Sequence, residues 1–280
     1  MRFKKMHGLG NDFIVTEALP TGLGISLGEF ARRICDRHHG VGADGLVIVG
    51  PSQRADCRMT IINSDGREAE SCGNALRCVA HFAHRSQYSP GPVVSIETLS
   101  GVQLAHIISS DEQGSMVSVD MGHPLLSPKD FPATLDSPGP ILGQSVTTPY
   151  GTYDVSLVRV GVPHIVIFVE NLSAVDIVGE GRALEEHPIF PAGANVNFVL
   201  QKDENRFVVR VWERGAGATM ACGTGACAVA VAAILHGRAA NDVVVDLPGG
   251  QLEISWKPGR SITMFGPAVE VFSGEYQWRP

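Results

Sequence analysis

The segment at residues 222–236 constrains the fold more than any other part of this 280-residue chain. It reads CGTGACAVAVAAILH and is followed by Gly237. Abundant alanine without proline predicts a helix, and a glycine directly after it is typical of a helix C-terminus. Small apolar residues cover nearly every side of this helix. We therefore expect it to be buried, inside a sheet or a barrel.

A second predicted helix, at residues 72–85, begins in a similar way. Both helices start with Cys-Gly followed by a polar residue, Asn74 in one and Thr224 in the other. Each follows a strand-like run and a glycine-containing polar turn. The turns begin at Asn63 and Glu213, nine positions before Cys72 and Cys222 respectively. A repeat at this separation predicts two duplicated halves, each with strands wrapped around a helix.

Most of the remaining chain is predicted to form strands, because runs rich in Val, Ile, Thr and Phe alternate with Gly, Pro, Asp and Ser. A third helix, amphipathic, is predicted at residues 26–38. The predicted strands span residues 11–17, 45–50, 58–63, 93–98, 102–108, 116–121, 153–160, 164–169, 195–200, 206–212, 242–247, 251–256 and 261–265. The expected fold class is α+β. It has two pseudo-symmetric lobes, each a mixed, mostly antiparallel, barrel-like sheet around a central helix.

The repeat also predicts the domain boundaries. Residues 1–119 form an N-terminal lobe that carries Cys72, and a final strand at 268–280 returns to it. Residues 120–267 form a C-terminal lobe that carries Cys222. The proline-rich stretch at 121–149 is predicted to be the crossover between the lobes.

Composition excludes several functional classes. The net charge is −7 and no basic run exceeds two residues, which argues against a nucleic-acid-binding protein. The N-terminus lacks the apolar core of a signal peptide, and the apolar stretch at 225–235 is too short to span a bilayer. We expect a cytoplasmic protein without a membrane partner. Its six cysteines are not expected to form structural disulfides, and none forms the Cys-x-x-Cys pair typical of a metal site.

Cys72 and Cys222 suit acid–base chemistry at a carbon centre. The start of a helix favours a thiolate, and its free N–H groups bind anions. Inversion at an α-carbon needs a base on one face and an acid on the other, and a thiolate opposite a thiol meets that need if the lobes face each other. The N–H groups expected to stabilise the resulting negative charge are those of Gly73, Asn74, Gly223 and Thr224. No lysine has a recognisable pyridoxal phosphate context, so no cofactor is expected.

A cysteine in such a protein is most often a small buried hydrophobic residue. That interpretation is adopted for Cys35, Cys57, Cys78 and Cys227. For Cys72 or Cys222 alone it would also be favoured. The repeated Cys-Gly-[Asn/Thr] sequence at two helix starts favours catalysis for this pair.

Several motifs in order along the chain resemble the diaminopimelate epimerase family. They are Met6-His7-Gly8-Leu9-Gly10-Asn11-Asp12-Phe13, Gly42-Ala43-Asp44-Gly45, Asn63-Ser64-Asp65-Gly66, Cys72-Gly73-Asn74, Gly193-Ala194-Asn195-Val196-Asn197-Phe198, Glu213-Arg214-Gly215 and Ala221-Cys222-Gly223-Thr224-Gly225-Ala226. The resemblance implies the fold of that family, a homodimer, and interconversion of LL- and meso-2,6-diaminopimelate in lysine and peptidoglycan biosynthesis. It also implies that Cys72 and Cys222 are the catalytic pair.

The resemblance further implies a set of substrate contacts. These positions are Asn11, Asn63, Gly73, Asn74, Asn195, Glu213, Arg214, Gly223 and Thr224. Their chemistry suits a substrate with two amino-acid ends, because a guanidinium binds a carboxylate through two hydrogen bonds and a carboxylate accepts from an ammonium. Taken alone, the asparagines would be turn or capping residues and Glu213 and Arg214 a solvated charge pair.

Two positions depart from the family pattern. Val162 and Ala218 stand where many relatives have Asn and Glu respectively. A racemase of another amino acid on the same fold therefore stays open as an alternative, as does a non-catalytic amino-acid-binding protein. A metal–thiolate protein is disfavoured by the cysteine spacing. His7 and His164 are interpreted as structural, hydrogen-bonded histidines.

Overall fold

The computed structural model describes residues 1–70, 72–135, 137 and 139–278. The chain divides into two compact units, one formed by residues 1–120 with 265–280 and the other by residues 121–264. Some residues of the predicted features lie outside the described residues. They are Ser71 of the first cysteine motif, Asp136 and Pro138 of the predicted crossover, and Arg279 and Pro280 of the predicted returning strand.

The first unit is a closed barrel of eight strands. Its elements, in chain order, are β1 (Arg2–Gly8), β2 (Asn11–Thr16), α1 (Leu27–Cys35), β3 (Gly45–Gly50), β4 (Cys57–Asn63), β5 (Glu68–Ala69), α2 (Gly73–Arg85), β6 (Val93–Thr98), β7 (Gly101–Ser110) and β8 (Gly114–Asp120). The last strand of the chain, β17 (Thr263–Glu275), pairs with both β1 and β8. The ring order is therefore β17-β1-β2-β3-β4-β6-β7-β8 and back to β17.

Helix α2 is the core of this barrel. It packs against β1, β2, β4, β6, β7 and β8, and every residue from 73 to 83 is buried. The ring pairs in parallel at β2–β3 and β4–β6, and a helix connects the strands of each of these pairs. Enclosure by strands on all sides explains why α2 buries Arg77 and His81 as well as its apolar residues.

The second unit repeats this arrangement. Its elements are β9 (Gln144–Thr148), β10 (Gly151–Val160), β11 (Val162–Phe168), α3 (Ile177–Glu185), β12 (Asn195–Asp203), β13 (Arg206–Glu213), β14 (Gly217–Thr219), α4 (Gly223–Leu235), β15 (Asp242–Leu247) and β16 (Gly250–Ser255). The strands run in the order β9-β10-β11-β12-β13-β15-β16, and β14 also pairs with β13. The parallel pairs are β11–β12 and β13–β15, joined through α3 and α4.

Helix α4 is the most apolar of the α-helices α1–α4, and it is buried as its sequence predicts. Its residues 225–233 are all buried, and it packs against β10, β11, β12, β15 and β16. The α+β class and the central helix in each half are thus confirmed. Among the described residues, no helix is long and apolar enough to cross a membrane.

The sequence prediction omitted β1, β5, β9, β14 and α3. The sequence of β1, RFKKMHG, does not look like a buried strand, because lysines usually lie on the surface. Lys5 is nevertheless only 8% exposed. Helix α3 contains Gly179 and Gly181, which lower helix propensity. A Cβ on Gly181 would lie 2.6 Å from the Cβ of Trp212, so the glycine lets the helix pack closely on that indole.

Candidate active site

The two cysteines of the repeated motif occupy the same local position in their units. Cys72 is the N-cap of α2 (φ −149°, ψ 118°) and Cys222 is the N-cap of α4 (φ −127°, ψ 106°). The carbonyl of each accepts the first helical hydrogen bond, from Leu76 at 2.8 Å and from Ala226 at 2.9 Å. Each sulfur therefore sits at a helix start whose first N–H groups have no intrahelical acceptor, which is the setting for binding an anion.

In the first unit, two of the predicted substrate-site side chains, Asn11 and Asn74, lie together beside Cys72. The sulfur of Cys72 lies 3.8 Å from Oδ1 of Asn11, and Nδ2 of Asn74 donates to the same Oδ1 at 3.0 Å. Asn74 is 4% exposed and Cys72 is half-buried. Asn63 differs, because its side chain is exposed at the end of β4 and its backbone closes the turn to Gly66.

In the second unit, Cys222 is 5% exposed and its sulfur lies 3.5 Å from Oγ1 of Thr224. Glu213 ends β13 and accepts a hydrogen bond of 2.5 Å from the hydroxyl of Thr219. Asn195 begins β12, and its Oδ1 accepts from the backbone N–H of Arg214 at 2.8 Å. The structure thus joins Asn195 to the Glu213-Arg214 turn, a link that the sequence does not reveal.

Arg214 does not make the simple solvated pair with Glu213 that its sequence context suggests. Its Nη1 donates to the carbonyl of Ala192 at 2.7 Å and to that of Gly193 at 3.3 Å. The side chain is exposed, and the aliphatic part of it packs on Gly193, whose φ is +65°. A guanidinium has five donor hydrogens, so these bonds orient it and leave donors for a further anion.

The environment of Cys222 corrects one expectation. A helix start should lower the pKa of a thiol, yet burial raises the pKa of Cys222 well above its ordinary value. The nearby carboxylate of Glu213 raises this pKa further, whereas hydrogen bonds with Thr224 and the Gly225 N–H lower it. Desolvation of the charged form outweighs the helix here. Cys222 is consequently held as a thiol in this environment.

The other cysteines are buried, as predicted. Cys35 is 3% exposed, and Cys57, Cys78 and Cys227 are fully buried. Burial raises the pKa of Cys35, Cys57 and Cys78 to about 12, so these thiols stay neutral near pH 7. They are packing residues rather than nucleophiles.

The histidines singled out in the sequence are hydrogen-bonded, as predicted. His7 Nδ1 accepts from the Gly10 N–H at 3.2 Å. His164 is fully buried, with its Nδ1 3.3 Å from Nδ2 of Asn197, and burial lowers its pKa to about 3. Within the described part of the chain, no group of three or more His, Cys, Asp or Glu residues could hold a metal ion.

Comparison with known proteins decides the family. The sequence model of the family Diaminopimelate epimerase matches residues 3–126 and 156–271. The chain is 45% identical to "Diaminopimelate epimerase" of Pelotomaculum thermopropionicum over 280 residues, covering 100% of both chains. It is 46% identical to the protein of the same name from Desulforudis audaxviator over 277 residues, covering 99% of both. The chain belongs to the diaminopimelate epimerase family. It is therefore an isomerase.

Solved structures that resemble this diaminopimelate epimerase family member share its fold. One is a probable proline racemase from Agrobacterium radiobacter with bound carbonate, at a TM-score of 0.72 and 18% identity, covering 100% of this chain and 93% of that one. Another is a predicted epimerase from Pseudomonas aeruginosa, at 0.70 and 17% identity, covering 99% of both. A hydroxyproline epimerase from Agrobacterium vitis matches at 0.69 and 19% identity, covering 98% and 91%.

Sequence reasoning gave no role to four residues that contact the candidate site of this epimerase family member. Asp44 accepts from Nδ2 of Asn11 at 2.8 Å, and Arg77 donates to Oδ1 of Asn74 at 2.9 Å. Thr219 and Asn197 lie beside Glu213 and Gly225 respectively. Asp44 and Asn197 lie in motifs that carry the family resemblance, which was a usable signal. Nothing in the local sequence distinguishes Arg77 from an exposed helical arginine.

Proposed function

We propose that this isomerase interconverts LL- and meso-2,6-diaminopimelate by a two-base mechanism in which Cys72 and Cys222 exchange a proton with the α-carbon. The observation that carries the proposal is the equivalent position of the two thiols. Each is the N-cap of the buried central helix of its unit, and each is followed by a glycine. Family membership supports the substrate, since the relatives at 45% and 46% identity bear that enzyme's name.

In the proposed reaction, the thiolate of one cysteine removes the α-proton, which breaks the C–H bond and leaves its electron pair on the substrate. The thiol of the other cysteine delivers its own proton to the opposite face and becomes the thiolate. The protein therefore ends with the two roles exchanged, and the reverse reaction uses them in the opposite sense. The proposal requires both sulfurs to reach one α-carbon.

The electron pair is shared with the substrate carboxylate during the transfer. The N–H groups of Gly73, Asn74, Gly223 and Thr224 belong to the first turns of α2 and α4 and are suited to stabilise that charge. Burial adds to this effect, because hydrogen bonds to an anion are stronger away from water. No cofactor is required, since each step moves only a proton between sulfur and carbon.

The distal end of the substrate is also an amino acid and needs its own contacts. In this proposal Arg214 binds the distal carboxylate, Glu213 accepts from an ammonium, and Asn11, Asn63 and Asn195 orient the remaining polar groups. The bonds of Arg214 to two backbone carbonyls support its role, because they fix a side chain that is otherwise exposed. The proposal also includes a homodimer, a cytoplasmic location and a place in lysine and peptidoglycan biosynthesis.

The test is isotope exchange with a defined substrate. Purified protein is incubated with LL-diaminopimelate in deuterium oxide, under reducing conditions and without pyridoxal phosphate. Formation of the meso isomer with deuterium at the inverted α-carbon is expected. Retention of the LL isomer with no deuterium uptake contradicts the proposal. Binding without exchange would instead identify an amino-acid-binding protein.

A racemase of another amino acid is the second candidate, and Val162 is the observation that favours it. Val162 begins β11 and is 38% exposed, and a valine side chain cannot hydrogen-bond to a polar substrate group. The same exchange assay with proline, histidine and lysine separates the candidates. Deuterium uptake into one of these, and none into diaminopimelate, identifies the second activity. A Val162→Asn variant with a lower KM for diaminopimelate and unchanged kcat supports the first.

A further inference from the structure

A directional chain of hydrogen bonds runs behind Cys72 in the first unit. Nη2 of Arg77 donates to Oδ1 of Asn74 at 2.9 Å. Nδ2 of Asn74 donates to Oδ1 of Asn11 at 3.0 Å, and Nδ2 of Asn11 donates to Oδ2 of Asp44 at 2.8 Å. The chain therefore begins at a cation and ends at an anion, with two amides between them.

The residues at the two ends fix the direction of the whole chain. A guanidinium can only donate hydrogen bonds and an ionised carboxylate can only accept them, whereas an amide can do either. Asn74 must therefore turn its oxygen to Arg77, and Asn11 must turn its nitrogen to Asp44. Only one orientation of each amide satisfies both ends. As a result, Asn11 presents Oδ1 to the thiol of Cys72, at 3.8 Å from the sulfur.

Both ends are firmly held. Arg77 is fully buried, and its Nε also donates to the carbonyl of Pro267 at 3.1 Å. A Cβ on Gly8 would lie 2.7 Å from Nη2 of Arg77, so the guanidinium fits there because residue 8 has no side chain. Asp44 accepts from Arg37 at 2.7 Å through Oδ1 and from the backbone N–H of Asp12 at 3.1 Å through Oδ2. Such double anchoring keeps the amides from rotating.

We propose that Asp44 and Arg77 are positioning residues that hold the Asn11 amide with its oxygen, and not its N–H, toward the thiol of Cys72. An acceptor at this place favours the S–H form of Cys72 and directs its proton, whereas an N–H would favour the thiolate. The catalytic consequence rests on the proposed function, because it assumes that Cys72 exchanges a proton with substrate. The orientation itself can be measured without substrate.

Other charges act on Cys72 and must be separated from this effect. The charged and titratable groups near it in this unit include Lys5 and His7 on β1, Asp12 on β2, Arg37 after α1, Asp44 before β3, Glu68 on β5, Glu70 after β5, and Arg77 and Cys78 on α2. Asp12 pairs with Lys5 at 2.6 Å and with Arg37 at 2.8 Å. The carboxylate of Asp12 bonds to Lys5, to Arg37 and to the backbone N–H of Asp44, and in the described contacts not to Asn11. Asp12→Asn therefore removes one negative charge from the same cluster and leaves the carboxylate of Asp44 to hold the amide.

The experiment measures the pH midpoint for alkylation of Cys72 by iodoacetamide, peptide by peptide, with Cys222 as the reference thiol in the same samples. Asp44→Asn replaces an obligatory acceptor with an amide and lets Asn11 rotate. We expect its Cys72 midpoint to fall by about 0.5–1 pH unit more than that of Asp12→Asn. Asp44→Glu, which keeps the acceptor, should restore the midpoint of the unmodified protein. An equal shift in Asp44→Asn and Asp12→Asn, or a matching shift at Cys222, overturns the proposal.

A second measurement needs no variant and covers the case in which Asp44→Asn does not fold. In the unmodified, 15N-labelled protein, the Hδ2 protons of Asn11 should show nuclear Overhauser effects to the β-protons of Asp44 and not to those of Cys72. The reverse pattern overturns the proposed orientation. Neither measurement uses diaminopimelate, so a failure here is distinct from a failure of the proposed function, which only the exchange assay tests.

Discussion

Gly225→Ala is the substitution whose effect the structure specifies most closely. Gly225 is the third residue of α4, and a Cβ there would lie 2.6 Å from Oδ1 of Asn197 and 3.3 Å from both Cβ and Sγ of Cys222. The added methyl group would therefore press on the candidate catalytic sulfur. Asn197 cannot yield easily, because it is fully buried and its Nδ2 donates to the carbonyl of Ile165 at 3.0 Å.

The magnitude follows from two opposing effects. Replacing glycine with alanine inside a helix ordinarily stabilises a protein by about 1 kcal/mol. Ordinary contact begins near 3.4 Å, so the 2.6 Å approach to Asn197 requires a shift of about 0.8 Å, and overpacking of this kind costs about 1–3 kcal/mol. The free energy of unfolding should therefore fall by about 0–2 kcal/mol. Because Asn197 is held in place, the shift falls on the start of α4, and Cys222 moves with it as the N-cap. This movement should lower kcat at least about tenfold.

Urea unfolding and the deuterium-exchange assay measure the two quantities. Gly91→Ala is the matched control, because a Cβ there meets no atom within 4 Å, and it should change stability by less than about 0.5 kcal/mol. If Gly225→Ala is about 1 kcal/mol more stable than the unmodified protein and keeps its full exchange rate, the reasoning is refuted. Equal loss in the control would also refute it.

Three further predictions concern charge and hydrogen bonding. Burial opposes ionisation of Asp12, but hydrogen bonds from Arg37 and Lys5 outweigh it and lower its pKa from 3.8 to about 2. The ionised carboxylate contributes about 2.5 kcal/mol to the free energy of unfolding above pH 3.8, and this contribution is lost as the pH falls to 2. In urea unfolding, the free energy of unfolding of Asp12→Asn should therefore fall less between pH 4 and pH 2 than that of the unmodified protein. Burial raises the pKa of Cys57 from 9.0 to about 12, so stability should fall by about 1.4 kcal/mol per pH unit above pH 9, and Cys57→Ala should have a smaller slope in the same titration. Thr219→Val removes the 2.5 Å hydrogen bond to Glu213 and should lower kcat/KM about tenfold or more, whereas an equal loss in Thr219→Ser would show that the hydroxyl is not the cause.

The fold was largely predictable because the strongest signals were local. A helix that is apolar on all sides, such as α4, is not stable in contact with water, so its composition alone predicts that other elements surround it. Strands β3, β6 and β15 have the predicted bounds, since β-branched runs there end at turn residues. Closure of the first barrel was less visible, because it depends on β1 pairing with β17 from the other end of the chain. Strand β1 was not predicted because it contains Lys5, whose burial is explained by its ion pair with Asp12 and its hydrogen bond to the carbonyl of Gly42.

The candidate site was predictable where residue type alone indicates chemistry. The thiols of Cys72 and Cys222 met that condition, and the repeat identified them as a pair. Asp44 and Arg77 did not, because their roles arise from hydrogen bonds to Asn11 and Asn74 across the fold. The raised pKa of Cys222 could not be predicted either, because it is caused by burial, and the strands that bury this thiol are distant in sequence. Local sequence shows which groups are present, and tertiary structure determines their environment.

The central claim is that two thiols, one from each unit, are both required for inversion. The most direct measurement compares Cys72→Ala and Cys222→Ala with the unmodified protein in the conversion of LL- to meso-diaminopimelate, using Cys57→Ala as a control for loss of a buried thiol. The account predicts that each of the first two variants loses epimerisation by at least about 10³-fold, while the control keeps most of its activity. Near-normal turnover in either Cys72→Ala or Cys222→Ala would contradict it.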